Sequence, residues 1–452
     1  MKKSLLALAA LSAIAGAAQA QSSVTVYGIL DVGYQGGNTS VTNTNPGTTA
    51  TVNYPATTSA LGTMSNQQVK TTQSVLGQGA EQTSRLGFKG SEDLGGGTSA
   101  FFTVEFGLTP ADQTLSGNTA AGLKNRQSFV GLKKNGLGDA AVGTQYTPVH
   151  IAVGKTDPGQ QNNMVGSVIY TGQADSSVAG GASGGNTNAY TSRVSNALTL
   201  NSEVLAGFQA HAIAILNNTN STAVDTTATS NIIGTGGNVN TNGWGLGADY
   251  TWNKFFITAN YQALKQNTNA INTIQPTALT VGGGASGVAG GTPAVFNASA
   301  AVCNGTAGSC PVNVQDNQGY VGATYDFGIL KAYASWIQRK VSDTQNTGIY
   351  QKRSAEQIGV RSFITPTIEG WASAGVGTFT PMGLNQNSAH FNAWQLGSNY
   401  WLSKRTNLYA IYGQYAQANA TYSIYNSSGV ASTPYNTSVN ANTYAVGVRH
   451  TF

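Results

Sequence analysis

Apolar and polar residues alternate along much of the chain with the period of two that is typical of β-strands. Residues 443–452 read TYAVGVRHTF and show the pattern clearly. One face of this segment carries Tyr444, Val446, Val448, His450 and Phe452, and the other face carries the residues between them. A strand of this kind separates two surroundings: either the core of a β-sandwich and water, or lipid and the water inside a membrane barrel.

Sixteen segments of about ten residues share this alternation, and strands of about this length can cross a bilayer when they are tilted. In the first segment Val24 and Val26 share one face, while Thr25 and Tyr27 share the other. The segments are predicted at residues 23–35, 81–91, 97–109, 124–134, 138–146, 191–201, 204–217, 242–252, 254–265, 317–327, 329–341, 353–364, 367–379, 390–401, 405–417 and 441–452.

Short and long connections take turns between these segments. SEDLGG at 91–96 and KNGLGD at 134–139 are short, whereas 36–80, 147–190 and 266–316 are long and rich in Gly, Asn, Ser and Thr. Outer-membrane barrels have short turns at one end and long loops at the other. This arrangement is not typical of soluble β-sandwiches. In lipid the sheet must close on itself. We therefore predict an all-β fold, a sixteen-stranded antiparallel transmembrane β-barrel wide enough for a water-filled bore.

The N-terminus and the composition agree with export. Lys2 and Lys3 precede an apolar run that ends in the small-x-small site AQA, so residues 1–20 are predicted to be a cleaved signal peptide and 21–452 a single barrel domain. Only 9% of the residues are charged, whereas about 25% is usual in soluble domains. The net charge of +5, which loss of the two lysines lowers, is too small to indicate nucleic-acid binding.

The two cysteines of the chain, Cys303 and Cys310, lie close together in CNGTAGSC. An exported protein meets an oxidising compartment, so a small disulfide loop is the favoured interpretation. A metal site is less favoured because no histidine lies nearby in the sequence.

Several stretches together resemble the Gram-negative general porin family, the sixteen-stranded trimeric diffusion channels of outer membranes. These are SSVTVYGILDVGY, SRLGFKGSEDLGGGTSAFFTVEFG, NRQSFVGLKKNGLGDAAVGTQY, YWLSKRTNLYAIYGQY and VGVRHTF. The resemblance covers most of the predicted strands and fades in the loops. It implies a homotrimer in the cell outer membrane, in contact with lipid and lipopolysaccharide. It also implies that Phe452 is part of a C-terminal signal read by the barrel-insertion machinery.

The resemblance further implies a third loop, at about 147–190, folded into the bore to narrow it, opposite a ladder of arginines. By match to SRLGFKG and NRQSFVGL, Arg85 and Arg126 take two places of that ladder. The family has a third arginine in G-R-x-Y, where this chain has GTQY and therefore Thr144. The loop acids, Asp157 and Asp175, would complete a transverse field if they lie at the constriction.

Alternation sorts the charged residues without help from the family. With the apolar faces outward, the basic residues assigned to the bore are Arg85, Lys89, Arg126, Arg193, Lys254, Lys331, Arg339, Arg361 and Arg449, and the acidic ones are Asp31, Glu105, Glu203, Asp249, Asp326 and Glu369. Arg126 fits poorly, since Val130 and Leu132 share its parity. Aromatic residues near strand ends, predicted to lie at the lipid–water interfaces, are Tyr250, Trp252, Trp394, Tyr400, Trp401, Tyr412, Tyr444 and Phe452.

These observations predict a porin for passive diffusion of small hydrophilic solutes and ions, with a weak preference for anions and no cofactor. The alternative within the channel class is a substrate-selective anion pore. Outside it, a surface adhesin should show a short internal repeat, and none is found. A barrel hydrolase should show a nucleophile or metal motif such as GxSxG or HExxH. No such motif contains any of the four histidines, His150, His211, His390 and His450. The protein is therefore not expected to be an enzyme.

Overall fold

A computed structural model describes residues 23–44, 67–112, 115, 123–171, 189–221, 237–270, 312–344, 350–380, 388–422 and 435–452. Antiparallel β-strands make up most of these residues. The strands are β1 (Ser23–Thr44), β2 (Gln67–Gln78), β3 (Arg85–Gly95), β4 (Thr98–Gly107), β5 (Lys124–Lys134), β6 (Gly138–Tyr146), β7 (Arg193–Ser202), β8 (Phe208–Ser221), β9 (Gly237–Trp252), β10 (Phe255–Ala270), β11 (Val312–Asp326), β12 (Lys331–Asp343), β13 (Tyr350–Phe363), β14 (Ile368–Thr380), β15 (Ala389–Trp401), β16 (Thr406–Tyr422) and β17 (Tyr435–Thr451). Helix α1 (Pro148–Thr156) lies between β6 and β7.

The seventeen strands form one sheet that closes because β1 pairs with β17, with Asp31 opposite Arg449. The first residues of β1 pair with β3, and its later residues pair with β2. Strands β2 and β3 therefore share one position beside β1, and the ring has sixteen strand positions. The prediction of a closed sixteen-stranded antiparallel barrel is confirmed.

The predicted long connection 36–80 is wrong in part. Strand β1 continues to Thr44, and residues Gln67–Gln78 form the additional strand β2. These parts read GGNTSVTNT and QQVKTTQSVLGQ, with polar residues on both faces. Because alternation requires two unlike surroundings, a strand that is polar on both faces leaves no signal of that kind.

The outward face follows the predicted parity. Val24, Val26, Val130 and Leu132 are exposed, as are the outward aromatic residues. Trp252 is 64% exposed and Phe452 is 41% exposed, as residues facing lipid would be in an isolated barrel. Exposed aromatic residues predicted for the interfaces are Tyr250, Trp252, Trp394, Tyr400, Tyr412, Tyr444 and Phe452.

Two sequence assignments of orientation are wrong. Trp401 faces the bore, where its indole N–H donates to Glu369 Oε2 at 3.3 Å. Neighbours on a strand face opposite sides, so Tyr400 and Trp401 cannot both meet lipid. Lys254 lies in the tight turn between β9 and β10 and is exposed there, not on the wall of the bore.

Residues 147–171 lie against the inward-facing side chains of the wall. Thr147 caps α1 by accepting a hydrogen bond from His150 N–H, and Pro148 stands at the start of the helix, where its missing N–H is tolerated. The helix contacts strands β8–β12. Apolar side chains of the segment and of the wall form one buried cluster that includes Val149, Val153, Val168, Ile169, Tyr320, Ile337, Phe379 and Phe391. In the described part of the chain, no helix is long and apolar enough to span a membrane.

Candidate functional site

A β-bulge explains why Arg126 fits its strand poorly. Glu105 pairs with Gln127 and Phe106 pairs with Asn125, so Arg126 has no residue opposite it. Such an extra residue shifts the alternation by one position. Arg126 is therefore buried on the inner side, while Val130 and Leu132 of the same strand remain 62% and 55% exposed outside.

A second irregularity lies between β6 and β7. Gly143 pairs with Ala197 and Gln145 with Val194, and Asn196 takes a left-handed conformation with φ of 55°. This places the Arg193 guanidinium 5.9 Å from the centre of the Tyr146 ring. Thr144 is directed elsewhere, since its hydroxyl donates to Ser195 Oγ at 3.2 Å.

The two bulges bring three arginines from three strands to one cavity. Arg85 of β3, Arg126 of β5 and Arg193 of β7 line a cavity of about 210 Å³, which we call the arginine cavity. Arg85 Nε donates to Thr83 O at 2.9 Å, and Arg126 Nη2 donates to Tyr146 Oη at 2.8 Å. The other side of the cavity is formed by α1 and the residues that follow it.

The described residues that line the arginine cavity include three arginines and no aspartate or glutamate. Glu105 pairs with Arg126 at 2.7 Å between Oε1 and Nε, and both side chains are nearly buried. His150 adds no charge, because burial and then the neighbouring Arg193, Arg126 and Arg85 hold its pKa well below 6.5. Charges in a confined space act strongly on small ions. An anion would therefore be attracted to this cavity.

Four wall side chains hold the segment 157–168 by its backbone or carboxylate. Gln357 Nε2 donates to Asp157 Oδ1 at 3.0 Å, and Arg361 Nη1 donates to Pro158 O at 2.8 Å. Gln395 donates to Val165 O at 2.8 Å, and Arg353 donates to Val168 O at 2.7 Å. The segment is thereby tied to β13 and β15, across the bore from β3, β5 and β7.

Asp157 lies at these wall contacts and not among the residues that line the arginine cavity. It accepts hydrogen bonds from Gln357 and from the backbone N–H of Gln161. Burial raises its pKa above the ordinary value. The carboxylate therefore serves contacts within the fold.

The other sequence candidates are spread along the wall. Lys89 lies 5.4 Å from the Tyr27 ring centre, and Lys331 lies 5.2 Å from that of Tyr333. Arg339 is buried in an ion pair with Asp316, and Arg361 pairs with Glu369. Asp175, Cys303, Cys310 and residues 1–20 lie outside the described residues.

Arg353 was missed by the sequence analysis, although its parity held the signal. It lies eight residues before Arg361 on one strand and therefore shares its face.

The described ranges contain no group of three or more His, Cys, Asp or Glu side chains that could hold a metal ion.

Comparisons with known proteins agree with the closed barrel described above. The Gram-negative porin family matches residues 7–420. A curated relative, an outer membrane porin of Bordetella pertussis, is 34% identical over 164 residues, which are 35% of this chain and 37% of that protein. The match therefore spans little more than a third of the relative's length.

Two solved structures share the fold. The anion-selective porin from Comamonas acidovorans superimposes with a TM-score of 0.57 at 19% identity, covering 96% of this chain and 100% of that one. The trimer form of OmpT from Vibrio cholerae gives a TM-score of 0.52 at 12% identity, covering 95% and 99%. It follows that this chain is a β-barrel of the outer membrane and belongs to the Gram-negative porin family.

Proposed function

We propose that the protein forms a water-filled channel through which small hydrophilic solutes and ions diffuse passively, with a weak preference for anions. The observation that carries this proposal is the convergence of Arg85, Arg126 and Arg193 on one cavity in the barrel. The loop acid Asp157 lies away from them, at Gln357. The proposal involves no cofactor and no catalytic step.

We infer that the loop at 147–190 narrows this channel. Its support is the set of contacts between residues 147–171 and inward-facing side chains of many strands. Gly413 of β16 adds to it, because a Cβ there would lie 1.7 Å from Val165 O. Bare backbone at that wall position leaves room for the segment. Solutes would then pass between the loop and the arginines of β3, β5 and β7.

The preference for anions is expected to be weak because a carboxylate offsets part of the arginine charge. Glu105 offsets the charge of Arg126, whereas no carboxylate in the described part of the chain forms an ion pair with Arg85. Ions at physiological salt are screened over about 8 Å, so only charges at the narrowest point influence selection strongly. The positive charge of Arg85 there favours anions without excluding cations.

Reversal potentials in a salt gradient across planar bilayers test this proposal. We choose Arg85→Gln with Arg193→Gln, since removing Arg126 would leave Glu105 buried without its partner. The anion-to-cation permeability ratio should fall severalfold. The matched control is Lys340→Gln with Lys352→Gln, which removes two positive charges from outward-facing positions of β12 and β13. An unchanged ratio in the first variant, or no conductance in the native protein, would contradict the proposal.

We further propose a homotrimer whose insertion depends on Phe452. The last residue pairs with β1 through Gly28 N–H to Phe452 O at 3.0 Å and Phe452 N–H to Gly28 O at 3.1 Å. Deleting Phe452 removes both contacts and should reduce the amount of folded trimer in the membrane, measured as heat-modifiable bands on gels. An unaltered amount of trimer would contradict the role of Phe452 in membrane insertion.

Two further proposals are cleavage of the signal peptide after residue 20 and a disulfide bond between Cys303 and Cys310. Mass spectrometry of the mature protein tests both.

A further inference from the structure

A second cavity, of about 180 Å³, lies beside the arginine cavity. Tyr146 and Ile151 line both cavities and so form the boundary between them. The second cavity is lined by residues of β4–β9 and of the first turns of α1. The two cavities are therefore adjacent.

One side of this second cavity is aromatic. Phe101 of β4 and Phe129 of β5 line it, with ring centres 6.3 Å apart and an edge-to-face angle of 78°. Both residues have the inward parity of Glu105. Inward-facing apolar side chains such as Ile337 and Phe391 are buried in one cluster with residues of the segment 147–171, but these two rings are only half-buried. Uncovered rings on the water side of a channel wall offer an apolar surface to a passing solute.

Four polar residues that line the cavity, Asp139, Asn201, His211 and Asp249, form a chain of contacts. Lys155 Nζ lies 2.5 Å from Asp249 Oδ2, and His211 lies 3.2 Å from the same oxygen. His211 Nδ1 lies 2.8 Å from Asn201 Oδ1, and Asn201 Nδ2 donates to Asp139 Oδ1 at 2.8 Å. Asp139 ends the chain and, among the described residues, forms no ion pair. Its second oxygen can therefore accept a hydrogen bond from a solute.

We propose that this cavity is a binding subsite for the ring of a small aromatic carboxylate that carries a hydroxyl group. The ring would pack on Phe101 and Phe129, the hydroxyl would donate to Asp139, and the carboxylate would reach the arginines beyond Tyr146. A cavity of about 150 Å³ is sufficient for a benzene ring, so the space is adequate. The proposal rests on the channel function above and names a class of solute that this channel favours.

The native channel gives the first test, through the concentration at which each anion halves the chloride current in a planar bilayer. Favourable aromatic contacts are worth about 0.5–1.5 kcal/mol, so 4-hydroxybenzoate should block at a concentration about two- to tenfold below that of cyclohexanecarboxylate. Equal blocking by the two anions would overturn the proposal while leaving the channel itself established by the chloride current.

Variants identify the residues. Phe101→Leu with Phe129→Leu should remove the difference between benzoate and cyclohexanecarboxylate, neither of which carries a hydroxyl for Asp139. Phe88→Leu with Phe102→Leu, on the outward face of β3 and β4, should retain it. Asp139→Asn tests the polar end without changing the rings: the advantage of 4-hydroxybenzoate over benzoate should shrink at least twofold. If blocking in these variants matches the native channel, the rings and the carboxylate do not bind the solute.

Discussion

The inner wall of the barrel has two regions that use the same residue types differently. On β11–β16, inward-facing side chains hold residues 157–168: Arg361 and Arg353 each donate to a backbone carbonyl of that segment. On β3–β9, inward-facing side chains line two cavities and leave space for solutes. We call the first the anchoring wall and the second the open wall.

The difference shows that an arginine in a channel need not act on the solute. Arg361 and Arg339 are buried in pairs with Glu369 and Asp316, so their charges are compensated locally. Arg85 faces the arginine cavity, where its Nε donates to Thr83 O, and it forms no ion pair with any described residue. We therefore expect changes on the anchoring wall to reduce stability and changes on the open wall to alter selectivity.

The largest effect is expected from Arg339→Ala on the anchoring wall. Arg339 Nη2 and Asp316 Oδ2 are 2.6 Å apart, and the two side chains are 1% and 0% exposed. Removing one partner of a buried ion pair costs about 3–5 kcal/mol, because the remaining charge stays buried. This loss of stability is measured as the change in the free energy of unfolding in urea, followed by tryptophan fluorescence. The double variant Arg339→Met with Asp316→Leu should recover most of the lost free energy of unfolding. A loss below about 1 kcal/mol for Arg339→Ala would contradict the distinction between the anchoring wall and the open wall.

A smaller effect is expected from Arg353→Met, which removes the hydrogen bond to Val168 O and keeps packing on the Phe391 ring. A hydrogen bond to a charged group contributes about 1.5–3 kcal/mol. The segment should then move more freely, so open-channel current noise should rise along with the loss of stability. Lys352→Met, at the exposed neighbouring position, is the control. Quiet current in Arg353→Met would mean that this contact does not hold the loop.

Features of the fold and of the site can be predicted from the sequence where they depend on residues that are close together along the chain. The strands and their outward residues followed from alternation, since Val24 and Val446 repeat one short-range rule. The bulge at Arg126 could not be predicted, because an extra residue has no mark in a single sequence beyond a broken pattern. The resemblance, not the alternation, supported Arg126 there.

The path of the loop was beyond sequence reasoning for a different reason. Val165 N–H donates to Thr443 Oγ1 at 3.2 Å, across 278 residues of sequence. No periodicity connects such positions, so alternation alone cannot predict that Asp157 contacts Gln357 of the wall. Arg193 carries a positive charge at a position of inward parity, but only the fold shows that it lies beside Tyr146.

An acid-dependent loss of stability is expected from His150, where α1 meets the open wall. The pKa of His150 is held below 6.5 by burial and nearby arginines, so the unfolded chain binds more protons than the native state. Stability therefore falls as the pH falls below about 6.5, by at most about 1.4 kcal/mol per pH unit until the native pKa is reached.

The urea midpoint at pH 7.5 and at pH 5.5 measures this effect in the native protein and in His150→Gln. The variant should show a smaller loss on acidification, and His390→Gln, at an exposed position, should match the native protein. Asp157 acts in the opposite direction because burial raises its pKa. The difference between variant and native protein is therefore the quantity to compare, and no difference would mean that His150 is not buried as a neutral group.

The smallest effect is expected from Lys133→Gln, at the short-turn end of the open wall. Lys133 Nζ lies 3.4 Å from Glu203 Oε1, with side chains 47% and 32% exposed. Ion pairs this exposed contribute about 0–1 kcal/mol, since water screens them and ordering two long side chains costs entropy. A double-mutant cycle with Glu203→Gln in low and high salt isolates the pair. A coupling energy as large as that of Arg339 with Asp316 would show that depth in the wall does not decide the strength of these pairs.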